Sequence, residues 1–392
     1  MKVKTKVKLR YVLVLMLIIF LFAGCIQAPT QGQPGGEAPA IIAVWHTLQG
    51  EEEKELLKQI ERINDEYPEV TVKAEYIAED KFISTIWNVQ AGGEGPEIFI
   101  ARRQIIQALY EKGALAPVLA DEKNTFSAAR AIFYYNNKSY AASWLTDVPL
   151  FYYRSDRVST PSATIDEVFG RKAVVGIPDT DTALLSPWWK SKGGALSESG
   201  VAVLDSTNNI SFATLLAYLH SEGLLRIDKD CLNSFIKGDI NYMISWASNS
   251  PILTANNVKW SVISPVVMFG TGGNALLSNT LGIANSSIKT GSGTDETIRL
   301  VENELISLEV EAAMSKVDRR IPLNNLFYSN AQANSYLGQT AKTLENALVL
   351  KGSALDWNYL DLQNAAWRSI VAGGNISEEI TAAQKKAIES EK

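Results

Sequence analysis

The sequence predicts an α/β protein built as two lobes. Three observations carry this expectation. Short apolar, strand-forming runs alternate with amphipathic helical stretches in two successive groups. The body from about Ile41 to Lys392 is too long for one compact core at the usual ~100–200 residues per domain. Apolar runs around 146–153 and 260–267 stand where the chain passes from one group to the other.

The first group opens with "AIIAVWHT" (40–47), a fully apolar strand ending in an indole and polar groups. In the next stretch Leu56, Ile60 and Ile63 recur at helical spacing, and acids fill the first turn, where the helix dipole favours them. "VTVKAEYI" alternates as a strand, "DKFISTIWNVQAG" returns to a helix, and "GPEIFIARRQ" is an apolar strand running into charge. A further helix closes on Gly113 in C-cap position. In the second group "KAVVGIPD" is a buried strand and "ISFATLLAYLHSEGLL" an amphipathic helix. "FIKGDINYMISW" is a helix end followed by a strand, and "KWSVISPVV" and "NALLSNTLGIANSS" are further strands. From about Thr294 the chain is helical almost to its end, broken by "RRIPLNN". Trp87, Trp260 and Trp367 fall inside these periodic segments and are assigned to the core. "GTGGN" (270–274) lacks the lysine of a phosphate-binding loop and reads as a plain loop.

The N-terminus points outside the cell. "MKVKTKVKLR" carries five positive charges and no acid, and is followed by 12 apolar residues, Tyr11–Phe22, short of the roughly 20 that span a bilayer. "FAGC" matches a lipobox, so residues 1–24 read as a lipoprotein signal and Cys25 as the lipidated first residue of the mature chain. Residues 25–40, rich in Pro, Gly and Gln, read as a flexible tether. Without residues 1–24, 32 basic side chains face 43 acidic ones, a formal charge of −11, which argues against nucleic acid or anionic lipid as a partner. Cys231 then has no disulfide partner and reads as a small buried hydrophobe. The two histidines and two cysteines form no zinc or redox motif, and no cofactor or metal is expected. Of the paired tyrosines, 134–135 and 152–153, strand alternation buries one ring each, which argues against a metal site. Four N-x-S sequons, at Asn137, Asn209, Asn285 and Asn375, are compatible with extracellular glycosylation.

Ligands of open α/β sheets sit outside the carboxyl ends of the strands. The residues collected there are Trp45, His46 and Thr47; Arg102 and Arg103; Trp144 and Asp147; Asp179 to Thr182; and Trp246. Indole faces pack on the C–H face of a sugar ring, and carboxylates and guanidinium groups bond its hydroxyls.

The order of segments resembles the extracellular solute-binding proteins of ABC importers, in the subgroup typified by maltose-binding protein. The resemblance rests on "IIAVWHTLQGEEEKELLKQIERINDEYPEVTV", "DKFISTIWNVQAGGEGPEIFI", "QALYEKGALAPV", "YNNKSYAASWLTDVPLFYYRSD", "FIKGDINYMISW" and "SIVAGGNISEEITAAQKKAI", spanning nearly the whole body. It implies a two-lobe periplasmic-binding-protein-like fold of the class II type, with hinge strands crossing below a ligand cleft. The lobes implied are 41–147 plus about 265–308, and 148–264 plus about 309–392. It places Trp45 and His46 at the lip of the first lobe, and puts Arg102 and Arg103 where the family has a charged pair. Maltose members have an acid and then an arginine there; the double arginine here opens the way to an anionic ligand. Asp147 falls at the first crossing strand beside Trp144, Trp246 near a stacking indole, and Trp357 and Tyr359 near the aromatic of the last helical region. Trp188 and Trp189 fall where the second lobe contributes another platform.

The function implied is a monomeric, membrane-tethered receptor that delivers a sugar or oligosaccharide to the permease subunits of an importer. The alternatives are a secreted glycan hydrolase and a binder of an anionic solute or metal ion. The hydrolase needs two carboxylates facing each other at roughly 5–10 Å. Asp147, Asp179 and Asp181 are the only clear strand-end acids, and the resemblance gives none of them a catalytic role.

Overall fold

Two β-sheets organise the protein. The computed structural model describes residues 38–92, 95–277, 279–288, 293–318, 320–350 and 354–391. The expected signal, Cys25 and the expected tether up to residue 37 lie outside them. Among the described residues no helix is long and apolar enough to cross a membrane.

The first sheet runs in the order Val70–Tyr76, Ala40–His46, Ile98–Arg102, Leu281–Ser286, Leu115–Ala116, and Ala142–Ser143 also pairs with Leu281–Ser286. Its first three strands are parallel, and Leu281–Ser286 returns antiparallel. The second sheet runs Leu225–Ile227, Val175–Ile177, Tyr242–Trp246, Pro149–Arg154, Trp260–Ile263. Its first three strands are again parallel, and Pro149–Arg154 is antiparallel to both of its neighbours, Tyr242–Trp246 and Trp260–Ile263. Parallel strands need crossover helices, so both faces of each sheet are covered, and the strands are apolar on both sides as the sequence shows.

One face of the first sheet packs on the Glu51–Glu66 helix through Leu56, Ile60 and Ile63, the stripe expected from their spacing. The Leu308–Asp318 helix joins this layer through Val310 and Met314, so the packing of the first lobe reaches beyond about residue 308. One face of the second sheet packs on the Thr182–Ser191, Thr207–Ser221, Ala354–Val371 and Ile376–Ser390 helices. A third core fills the space beneath the remaining faces of both sheets, from Phe82, Phe99 and Ile106 to Tyr152, Phe235 and Met243.

The chain passes between the sheets near 146–149, again between 263 and 281, and a third time between 318 and 354. Leu145–Thr146 of the first passage pairs antiparallel with Ile321–Pro322 of the third. Thr146 Oγ1 lies 2.8 Å from Thr280 Oγ1 of the second. The buried Glu311 carboxylate accepts the backbone N–H groups of Leu323 and Asn324 at 2.7 and 2.8 Å. The three passages therefore form one cross-linked hinge.

Two assignments are corrected. Trp87 is 52% exposed, with Lys112 Nζ 5.4 Å from its ring centroid. Phe82, Ile86 and Gln90 make the buried stripe of its helix, and Trp87 sits one step around from it. Of the sequons, Asn209 and Asn285 are buried, which leaves Asn137 and Asn375 exposed. Trp260 is half-buried against Tyr152 and Tyr336, and Trp367 is a core residue.

Candidate functional site

At the end of the first strand, alternation sends neighbouring side chains to opposite faces. Ile42, Val44 and His46 point one way, into the core under the Glu51–Glu66 helix; Trp45 points the other way and stays half-buried. His46 is 1% exposed, and neither ring nitrogen meets a partner in hydrogen-bond geometry. Burial lowers its pKa to about 4, with the Leu48 backbone opposing weakly. His46 is thus a neutral core imidazole in this structure, not a lip residue.

The two arginines separate in the same way. Arg102 ends its strand exposed, 3.7 Å from Glu79. Arg103 opens the Arg103–Glu111 helix and is 1% exposed. Its Nη1 donates to Leu277 O at 3.2 Å and its Nη2 to Leu350 O, and its guanidinium lies 5.1 Å from the centroid of the Trp357 ring. Burial lowers its pKa to about 10, against the opposing influence of Tyr135 and Asp356.

At the first passage, Trp144 is completely buried in the first-lobe core and offers no face to a ligand. Asp147 is 4% exposed, and Oδ1 accepts the backbone N–H of Val148 at 2.9 Å and of Ser248 at 3.1 Å. Burial pushes its carboxyl up to about 7, while Ser248, the Val148 amide and Arg320 act to lower it. The residue reached by sequence as a bonder of ligand hydroxyls is therefore bound to the protein's own backbone. One turn away Trp246 ends the Tyr242–Trp246 strand opposite Pro149, with its indole half-buried.

In the second lobe the expected platform at Trp188 and Trp189 is absent. Every residue from Thr182 to Trp189 is buried, because that helix is covered on all sides. Trp188 stacks between Phe169 and Phe269, and Trp189 Nε1 donates to Asn209 Oδ1 at 2.7 Å. Tyr359 is 1% exposed, its hydroxyl on Glu391. Trp357, two positions earlier, is half-buried and reaches the first lobe: Nε1 donates to Gln107 Oε1 at 3.1 Å. Asp179 pairs with Arg368 at 2.8 Å, and Asp181 caps the helix through the N–H groups of Ala183 and Leu184.

The structure thus brings Arg103 and Trp357 together, and Asp147 beside Trp246, with Trp45 one strand over from Arg102. Trp144, Trp188, Trp189, Tyr359 and His46 are in the core. Sequence reasoning missed Gln107, which shares a helix face with Arg103 four residues before it, a spacing that could have exposed it. Tyr135 enters that reasoning only as half of a tyrosine pair, and its place next to Arg103 has no local signal.

Residues 58–337, more than half of the chain, match the family model described as bacterial extracellular solute-binding protein. No curated protein matches the sequence. Among solved structures, the chain is similar to a cyclo/maltodextrin-binding protein complexed with maltotetraose, at 16% identity and a TM-score of 0.75, covering 91% of this chain and 98% of that one. It is also similar to the maltose/maltodextrin-binding domain MalE from Bdellovibrio bacteriovorus bound to maltotriose, at 16% identity and a TM-score of 0.67, covering 89% and 100%. At that identity the two structures establish the two-lobe fold.

Proposed function

The chain belongs to the bacterial extracellular solute-binding protein family, and we propose that it takes a neutral sugar or oligosaccharide into a cleft between its lobes and hands it to the permease of an ABC importer. In this reading Cys25 carries the lipid that tethers the receptor outside the cell, and the lobes close on the solute by bending at the three passages. A solute shifts that equilibrium only through contacts that differ between the open and closed forms.

The observation that carries the reading is the fate of the indoles. Of those reached by sequence at strand ends and in the last helical region, Trp45, Trp246 and Trp357 keep part of the ring outside the core. Half-buried indoles backed by the fold are rigid platforms for the apolar face of a pyranose. The likeness to structures complexed with maltotetraose and maltotriose supports the same solute class.

Charge supports a neutral ligand. Arg103 is buried, with both terminal nitrogens on backbone carbonyls, and Arg102 faces Glu79. The double arginine therefore does not present a concentrated positive site for an anion. Asp147, Asp179 and Asp181 all have partners within the protein, which disfavours a glycosidase pair.

The test is native mass spectrometry of freshly purified protein, followed by thermal-shift titration with maltotriose and maltotetraose. A saturable upward shift with either sugar is expected. Shifts near zero with all neutral sugars and a clear one with an amino acid, phosphate or ferric ion would end the carbohydrate assignment. Multiple-turnover cleavage of the oligosaccharide would end the receptor assignment.

A further inference from the structure

We propose that Arg103, Gln107 and Trp357 form a latch across the two lobes that biases the protein toward its closed form through the chain's own side chains. The inference rests on the hinged-receptor reading above and adds to it a contact that sets where the open–closed balance lies.

Two of the three residues, Arg103 and Gln107, come from one helix of the first lobe, and Trp357 comes from the second lobe. The Arg103–Glu111 helix buries Ile105, Ile106 and Leu109 on the first-lobe side. The Ala354–Val371 helix anchors Leu360, Trp367 and Ile370 in the core of the second lobe. Trp357 and Gln107 are 250 residues apart in sequence, and their bond at 3.1 Å is separate from the strand pairing of the hinge.

Both sides of the contact are held in place. Gln107 Nε2 donates to Glu111 Oε1 at 3.2 Å, which fixes the amide so that its Oε1 faces the indole N–H. Arg103 is fixed at both terminal nitrogens, by Leu277 O and Leu350 O, and lies 5.1 Å from the centre of the same ring. The indole is thus gripped at its edge by an acceptor and at its face by a desolvated cation. Each of these is a favourable contact in a partly buried setting. Opening the lobes carries Trp357 away from both Arg103 and Gln107, so the latch strengthens the closed form whether or not a solute is bound.

The experiment measures lobe separation with no solute added. Spin labels on Lys58→Cys and Tyr218→Cys, in the full chain carrying Cys25→Ser, report the distance between exposed points on the two lobes; Cys231 is fully buried and stays unlabelled. Gln107→Leu removes the acceptor, and Trp357→Phe keeps a ring for Arg103 but removes the N–H. Each should raise the long-distance population about fivefold, the weight of one hydrogen bond. The double variant should resemble either single one, because both remove the same interaction. Unchanged distance distributions in Gln107→Leu, or additive effects in the double variant, would overturn the latch. Sugar binding is scored separately by thermal shift, so a failed latch and a failed receptor reading remain distinct outcomes.

Discussion

The Asp147 carboxylate accepts the backbone N–H of Ser248, 101 residues away, at 3.1 Å, and that of its neighbour Val148 at 2.9 Å. One oxygen thereby ties the first passage between the lobes to the 3-10 turn Ala247–Asn249 that follows Trp246. Asp147→Ala should strip one buried and one partly buried amide of their acceptor and lower stability by about 2–4 kcal/mol. Asp147→Asn retains a carbonyl oxygen and should lose less. Urea denaturation at pH 7 checks both, and equal stability of Asp147→Ala and wild type would remove the hinge-tie role.

Two buried groups should make stability depend on pH in opposite senses. Burial pushes Asp147 up to about 7 from an ordinary value of 3.8, so the folded state holds its proton more tightly than the unfolded chain. That contribution is complete below about pH 4 and is lost as pH rises through 7, at up to about 1.4 kcal/mol per unit. Burial lowers His46 from 6.5 to about 4, so its contribution is present above 6.5 and is lost as pH falls through 4. Between pH 4 and 7 the two slopes oppose each other in the wild type. Relative to wild type, Asp147→Asn should become more stable as pH rises, and His46→Phe less stable. Denaturation curves collected every half unit would show this; parallel curves for all three proteins would contradict it.

Asn209 organises the buried end of the second lobe. Its Oδ1 accepts Trp189 Nε1 at 2.7 Å and Ala195 N at 3.3 Å, and its Nδ2 donates to Ala195 O and Val203 O at 2.7 and 2.8 Å. Asn209→Ala should leave Trp189 Nε1 and the N–H and C=O of Ala195 without their partner, while Val203 O keeps the Ser206 N–H. The cost should be about 2–3 kcal/mol, with maltotriose affinity unchanged in whatever fraction stays folded. Loss of affinity without loss of stability would return Trp189 to the binding site.

The alternation of strands and helices was readable because burying a stripe or a face imposes a period on the sequence. The stripe of Leu56, Ile60 and Ile63 follows directly from local pattern, and so does the helix stop at Gly113, which has φ 72° and lies one residue past the observed C-cap Lys112. Burial of single aromatics was not readable. Trp188 and Trp357 look alike as residues, and only the covering of the Thr182–Ser191 helix on all sides makes the first a core residue. His46 is a different case: strand alternation already sets it opposite Trp45, so both could not face one ligand. Asp147 and Arg103 were found as chemically special positions, but a sequence does not show that their partners are backbone amides and carbonyls from distant segments.

Trp246 gives the most direct test of the proposed binding platform, because its backbone and its ring do different jobs. The strand is held by its pairing with Pro149 on Pro149–Arg154, and Trp246 O accepts the Tyr152 hydroxyl at 2.9 Å. Neither interaction uses the indole, which is half-buried against the second-lobe core. Trp246→Ala should therefore keep the sheet register and most of the stability, while removing a face on which a sugar ring can stack. Maltotriose affinity by isothermal titration should fall about tenfold, in line with about 1–1.5 kcal/mol for an aromatic contact of this kind. Trp246→Phe, which restores a smaller ring, should recover part of that loss. Binding by Trp246→Ala indistinguishable from wild type would show that stacking falls on Trp45 or Trp357 instead.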